Sequence, residues 1–271
     1  MDAGRGEFGR GEFGRGGLRW LACGEDVVPA GEGWLVPRER ERLSRMRFTK
    51  RRTEYLLRRC AGKRAVAASL GLPTDEASLA RIAMLNAPGG APYVEIDGQR
   101  ADFDISLTDR AGQAVALVGP SGSMAAGTLG IDLEIAEPRS AGFVADFLTP
   151  PEQRWVADQR AAHGADGWDA AANLIWSAKE AALKVLRVGL RADTRSVVVT
   201  VHPVARADGW GELLIDGGAQ AFPGWWRRDG AFLLTLATRT LTPPPAPMPG
   251  SADLGVAIPT HSWMANPVHR P

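Results

Sequence analysis

The sequence has little cysteine. Cys23 and Cys60 are its two thiols, too few and too far apart for a disulfide framework or a zinc site, and compatible with a reducing compartment. Long apolar runs are missing as well. Nothing approaches the ~20 consecutive apolar residues of a membrane span. Residues 1–17 carry no apolar core of a secretory signal, so a cytoplasmic address without membrane contact is expected. Neither sign of charge is in excess: 32 Lys and Arg oppose 31 Asp and Glu, which argues against attraction of the whole molecule to nucleic acid or lipid. Histidine is sparse, and His163, His202, His261 and His269 share no metal-ligand or triad spacing.

What is present suits one large or two small globular domains in 271 residues. Residues 4–16 repeat Gly-Arg-Gly-Glu-Phe, as in Gly4-Arg5-Gly6-Glu7-Phe8. Glycine at that density is expensive to order, so residues 1–17 are expected to form a disordered leader, with an RNA-touching Arg-Gly segment as the alternative. From Thr242 the chain runs into Pro243-Pro244-Pro245-Ala246-Pro247, so residues 242–271 are expected to be an extended tail outside the fold. Between the ends, strands are expected at 18–22, 114–118, 129–135, 196–201, 210–215 and 231–237. Helices are expected at 38–70, in one or two pieces, and at 168–186. Helices with mostly consecutive strands predict an α+β fold. The Gly/Ser-rich stretch 119–127 is the best interior boundary, dividing residues 18–122 from 123–241.

Two stretches carry candidate chemistry. Gly130-Ile131-Asp132-Leu133-Glu134-Ile135 alternates apolar and acidic residues, which places Asp132 and Glu134 on one face of a strand. Paired acids need positive compensation, and their hard oxygens suit Mg²⁺ or Ca²⁺; a solvated acidic face is the alternative. On the later helix, Glu180 and Lys184 stand i,i+4. They predict either a plain surface ion pair or a third metal carboxylate with a phosphate-binding lysine.

The Gly130–Glu134 stretch, followed by Trp176-Ser177-Ala178-Lys179-Glu180-Ala181-Ala182-Leu183-Lys184, resembles the two signature motifs of the 4′-phosphopantetheinyl transferases, most closely the Sfp-type branch. Other stretches of the family pattern are similar to Phe147-Leu148-Thr149-Pro150-Pro151-Glu152, Gly189-Leu190-Arg191, Phe103-Asp104-Ile105-Ser106-Leu107-Thr108 and the basic run Arg42 to Arg64. The resemblance covers about residues 18–240. It implies two similar halves related by a pseudo-twofold, each a small antiparallel sheet on a long helix, within a monomer.

The activity implied is transfer of the 4′-phosphopantetheine arm of coenzyme A to a serine of an apo acyl or peptidyl carrier protein, with release of 3′,5′-ADP. The resemblance assigns Asp132, Glu134 and Glu180 to Mg²⁺, Glu180 to proton removal from the serine, and Lys184 and Ser106 to phosphate. Arg42, Arg45 and Arg59 are assigned to the 3′-phosphate. Two positions depart from the pattern: Leu107 stands where the family has histidine, and Ala91 where Pro88-Gly89-Gly90-Ala91-Pro92 would carry lysine. Two other readings remain open from the residues alone. Acids followed by a lysine also occur in metal-dependent nucleases, and the basic run 38–64 suits a binding module without transferase activity.

Overall fold

The computed structural model describes residues 17–119, 129–187, 193–204 and 206–260. The Gly-Arg repeat through residue 16, the boundary at 122/123, Gly189-Leu190-Arg191, His261 and His269 lie outside those residues. The chain is α+β, as the sequence pattern predicts.

The first half begins with strand β1 (Arg19–Gly24), followed by helices α1 (Pro37–Ser44) and α2 (Thr49–Ser69) and the short α3 (Glu76–Ala80). The expected helix 38–70 is thus two pieces. A small sheet of β2 (Ile82–Asn86), β3 (Pro92–Ile96) and β4 (Gln99–Ala101) comes next, then the hairpin β5 (Asp104–Arg110) and β6 (Gln113–Gly119). α2 lays Cys60, Ala61, Ala65 and Val66 against β1, β5 and β6, forming one apolar core.

The second half holds β7 (Leu129–Ile135), α4 (Ala141–Phe147), α5 (Pro150–Leu186), β8 (Val198–Val201), β9 (Gly211–Asp216), β10 (Ala221–Asp229) and β11 (Phe232–Thr238). Its sheet is antiparallel, in the order β7-β11-β10-β9-β8. α5 packs along β7 and β11 over Ala178, Ala181, Ala182 and Val185. It begins well before the expected residue 168. Pro150 suits the first helical turn, Glu152 accepts from the Thr149 N–H at 2.7 Å, and the two limbs join at Gly164, whose φ of 69° breaks the helical pattern. β10 escapes a pattern search because Pro223 and Gly224 interrupt it.

A third core lies between the sheets. Trp20, Ala22, Val115 and Leu117 on one side meet Ile131, Leu133, Leu234 and Leu236 on the other. The layers are therefore helix, sheet, sheet, helix.

The expectation of a free tail from Thr242 is corrected. Residues 242–260 pack along the seam: Trp225 Nε1 donates to Thr242 O at 3.0 Å, and β12 (Ala246–Pro247) runs parallel to β1. Met248 N donates to Trp20 O at 2.7 Å and Thr260 N to Ala111 O at 2.9 Å. Leu254 and Met248 are buried. The physical reason is the open edge of β1, whose backbone groups need partners; proline, lacking an N–H, is tolerated on such an edge strand. Among the described residues no helix is long and apolar enough to cross a membrane.

Candidate active site

The site forms where β7 meets α5, and Gly130 sets their distance. A Cβ on Gly130 would lie 1.9 Å from Ala181 O, so only glycine lets the strand come this close to the helix backbone. That approach brings Asp132 near Glu180, the neighbour of Ala181.

Asp132 is buried and uses both carboxylate oxygens. Oδ1 accepts from Lys184 Nζ at 2.8 Å and Thr108 Oγ1 at 3.1 Å, and Oδ2 accepts from Ser177 Oγ at 3.0 Å. Lys184 Nζ also donates to Ile131 O at 2.6 Å. The surface pair Glu180–Lys184 that the spacing allows is absent from the ion pairs of the described residues: the ammonium reaches across to the strand instead. Glu180 is half-buried, and its Oε1 has no hydrogen-bond partner among the described residues. Burial first, then the charge of Asp132, pushes the Glu180 carboxyl above the usual carboxylate range, with Lys184 acting against them.

Glu134 shares the strand face with Asp132 but keeps different company. Its Oε2 lies 3.0 Å from Arg110 Nε and 3.5 Å from Arg139 NH2. Burial, then the charge of Asp132, outweighs both arginines and raises its pKa to about 7. Among the described residues no three His, Cys, Asp or Glu gather into a group able to hold a metal ion. Asp132 and Glu180 nevertheless fit a divalent cation: both offer hard oxygens, one oxygen lacks a partner, and their charges burden each other. Magnesium is commonly held by one or two carboxylates together with substrate phosphates and water.

Between the halves, above this corner, lies a cavity of about 340 Å³. Lys184 and Leu183 line one wall, and Ser106 and Leu107 lie on another. The Ser106 hydroxyl accepts from Ile131 N at 3.1 Å, so it is also a fastener between β5 and the open edge of β7. Residues 89–92 line the cavity too, including Ala91.

The arginines divide. Arg59 is buried, stacks on Tyr55 with 4.6 Å from Cζ to the ring centroid, and donates to Asn86 Oδ1 at 2.6 Å. Arg42 lies 5.9 Å from the same ring centroid and donates to the same oxygen at 3.2 Å. Arg45 stands in solvent, paired with Glu41, and is not part of the cavity wall. Arg58 and Arg187, which motif reasoning passes over, do line it. Arg58 is held by the half-buried Asp109. One turn from Glu180, Trp176 packs edge-on against Phe143 and Phe147, with centroids at 5.4 and 5.3 Å.

No curated protein matches the chain. Residues 128–211, the span carrying Asp132, Glu134, Glu180 and Lys184, match the family model of the 4′-phosphopantetheinyl transferase superfamily.

Proposed function

We propose that the protein transfers the 4′-phosphopantetheine arm of coenzyme A to a serine of an acyl or peptidyl carrier protein, as a magnesium-dependent monomer of the Sfp-type branch. One observation carries the reading: Lys184, on the wall of a cavity that also bears Arg42, Arg58 and Arg59, is bonded to Asp132, whose charge in turn acts on Glu180. The family match over residues 128–211 supports it. The pseudo-twofold architecture belongs to the same reading. It is supported by Leu35-Val36-Pro37-Arg38-Glu39 and Leu148-Thr149-Pro150-Pro151-Glu152, each opening a helix at the matching place in its half.

Coenzyme A brings a pyrophosphate and a 3′-phosphate. Arg42, Arg58, Arg59 and Arg187 supply positive charge for these groups along the cavity. Asp132 and Glu180 would hold the magnesium ion, and Glu134 would join them only by loosening its hold on Arg110 and Arg139. When bound, magnesium withdraws charge from the pyrophosphate and stabilises the leaving group.

The serine oxygen bonds to the β-phosphorus, the bond from that phosphorus to the bridging oxygen breaks, and 3′,5′-ADP departs. Glu180 takes the serine proton, directly or through water. Lys184 neutralises charge on the phosphoryl oxygens. Leu107 supplies neither a hydrogen bond nor charge at its place in the wall, so anion binding there rests on the arginines.

The test is incubation with coenzyme A, Mg²⁺ and apo carrier proteins, read by intact-protein mass spectrometry. The carrier is expected to gain the phosphopantetheine mass. A chain that modifies no carrier but cuts DNA would contradict the proposal in favour of a nuclease; salt-sensitive nucleic-acid binding with neither activity would favour a binding module.

A further inference from the structure

Asp132 Oδ1 accepts two hydrogen bonds, from Lys184 and Thr108. A carboxylate oxygen has two lone pairs. Oδ2 accepts from Ser177 alone, whereas a cation that coordinates Oδ1, alone or together with Oδ2, must displace one of the Oδ1 donors. Thr108 is fixed, because its hydroxyl also accepts from Leu133 N at 3.2 Å and so fastens β5 to β7. Lys184 also donates to Ile131 O at 2.6 Å, but it is the movable one: its side chain is long, 30 % exposed, and already lines the cavity. A divalent cation would also repel its ammonium at this distance.

We propose that Lys184 is an exchangeable counter-ion of Asp132: a divalent cation arriving at Oδ1 evicts the ammonium, which swings into the cavity and becomes a phosphate ligand. The inference rests on the reading of Asp132 as a magnesium ligand. It adds a link between metal and substrate, since the phosphate-binding lysine is released by the cation. Substrate binding is therefore strengthened by metal through this side chain as well as through direct coordination.

The chain suits a direct test because it has four lysines, Lys50, Lys63, Lys179 and Lys184. Lys63 and Lys179 are fully buried and Lys50 is exposed to solvent, so they serve as internal controls. The full-length protein is treated with an amine-acylating reagent, with and without Mg²⁺ alone, and acylation at each lysine is followed by peptide mass spectrometry. Mg²⁺ is expected to raise the acylation rate at Lys184 several-fold and leave Lys50 unchanged.

Calorimetric Mg²⁺ titration of Lys184→Met should show about tenfold tighter binding than wild type, the worth of one charge-assisted hydrogen bond removed from the competition. Asp132→Asn separates the two layers of the argument. If that variant loses Mg²⁺ binding while Mg²⁺ leaves wild-type Lys184 acylation unchanged, the exchange is refuted and the metal reading stands. If Asp132→Asn binds Mg²⁺ like wild type, both fall.

Discussion

Asp132 combines three donors on one buried carboxylate, and the proposed chemistry depends on that balance. Asp132→Asn keeps the shape and removes the charge. Carrier modification is expected to fall about 10²–10³-fold, with circular dichroism unchanged; activity near wild type would remove Asp132 from the chemistry. The arginines give a second prediction. Arg58→Ala should weaken coenzyme A binding about tenfold, the loss of one charge-assisted contact. Arg45→Ala, in solvent beside Glu41, should change it less than about twofold; calorimetry compares the two.

Glu134 predicts a pH dependence. Its folded pKa of about 7 lies above its ordinary value of 4.5, so between these values the native state binds the extra proton. Stability from this group is full below about 4.5 and is lost as pH rises through about 7. Denaturant unfolding in chelator should show that downward slope, and Glu134→Gln should flatten it. An identical slope in both proteins would assign the titration elsewhere.

At this scale the acids were legible because strand alternation and helical spacing are strong local signals. Which arginines face the cavity was not, since in a run as basic as 38–64 charge alone marks no inward face. The i,i+4 spacing of Glu180 and Lys184 was legible, but the turn of Lys184 toward Asp132 follows from the close approach at Gly130, which no local pattern encodes.

The same structural device opens the main helical segment of each half. Glu39 accepts from Val36 N at 3.0 Å and from Met84 N at 2.9 Å, and lies 2.7 Å from the buried Lys63. Glu152 accepts from Thr149 N at 2.7 Å and from Val199 N at 2.7 Å, and lies 3.0 Å from the buried Lys179. Each lysine also donates to two backbone carbonyls: Lys63 to Trp34 and Leu79, Lys179 to Thr194 and Val197. One glutamate thus ties the helix start, the central helix and a strand together, while the lysine holds two further backbone segments. Lys179→Met leaves a buried carboxylate unpaired and should cost about 3–5 kcal/mol of unfolding free energy; a loss below about 1 kcal/mol would show that the pair is dispensable.

Lys179 stands beside Glu180 in sequence yet serves the scaffold. Position on the helix separates the roles: Lys179 turns into the core toward Glu152, while Glu180 turns toward Asp132. The element order of the second half was largely readable from apolar periodicity, with β10 lost to Pro223 and Gly224. Sheet β2-β3-β4 was missed because its strands are short and joined by tight turns.

Across the whole molecule, the segment 242–260 is the largest departure from the sequence expectation. Proline-rich composition reads as a tail because proline cannot donate in a ladder. Here it borders β1, and Met248 and Leu254 sink into two different cores. Removing residues 243–271 should expose those cores and lower the thermal midpoint by several degrees or more; an unchanged midpoint would show that the segment adds nothing to the seam. The proposed site needs that seam, since Arg42, Arg58 and Arg59 come from one half and its acids from the other.

The central claim is that Asp132 and Glu180 share one divalent cation against the pyrophosphate of coenzyme A. Crystals grown with coenzyme A and Mn²⁺ test it most directly through anomalous scattering. The account predicts a single strong peak within coordination distance of both carboxylates and of the pyrophosphate. A peak that excludes Glu180, or bound coenzyme A with no peak at Asp132, would contradict it.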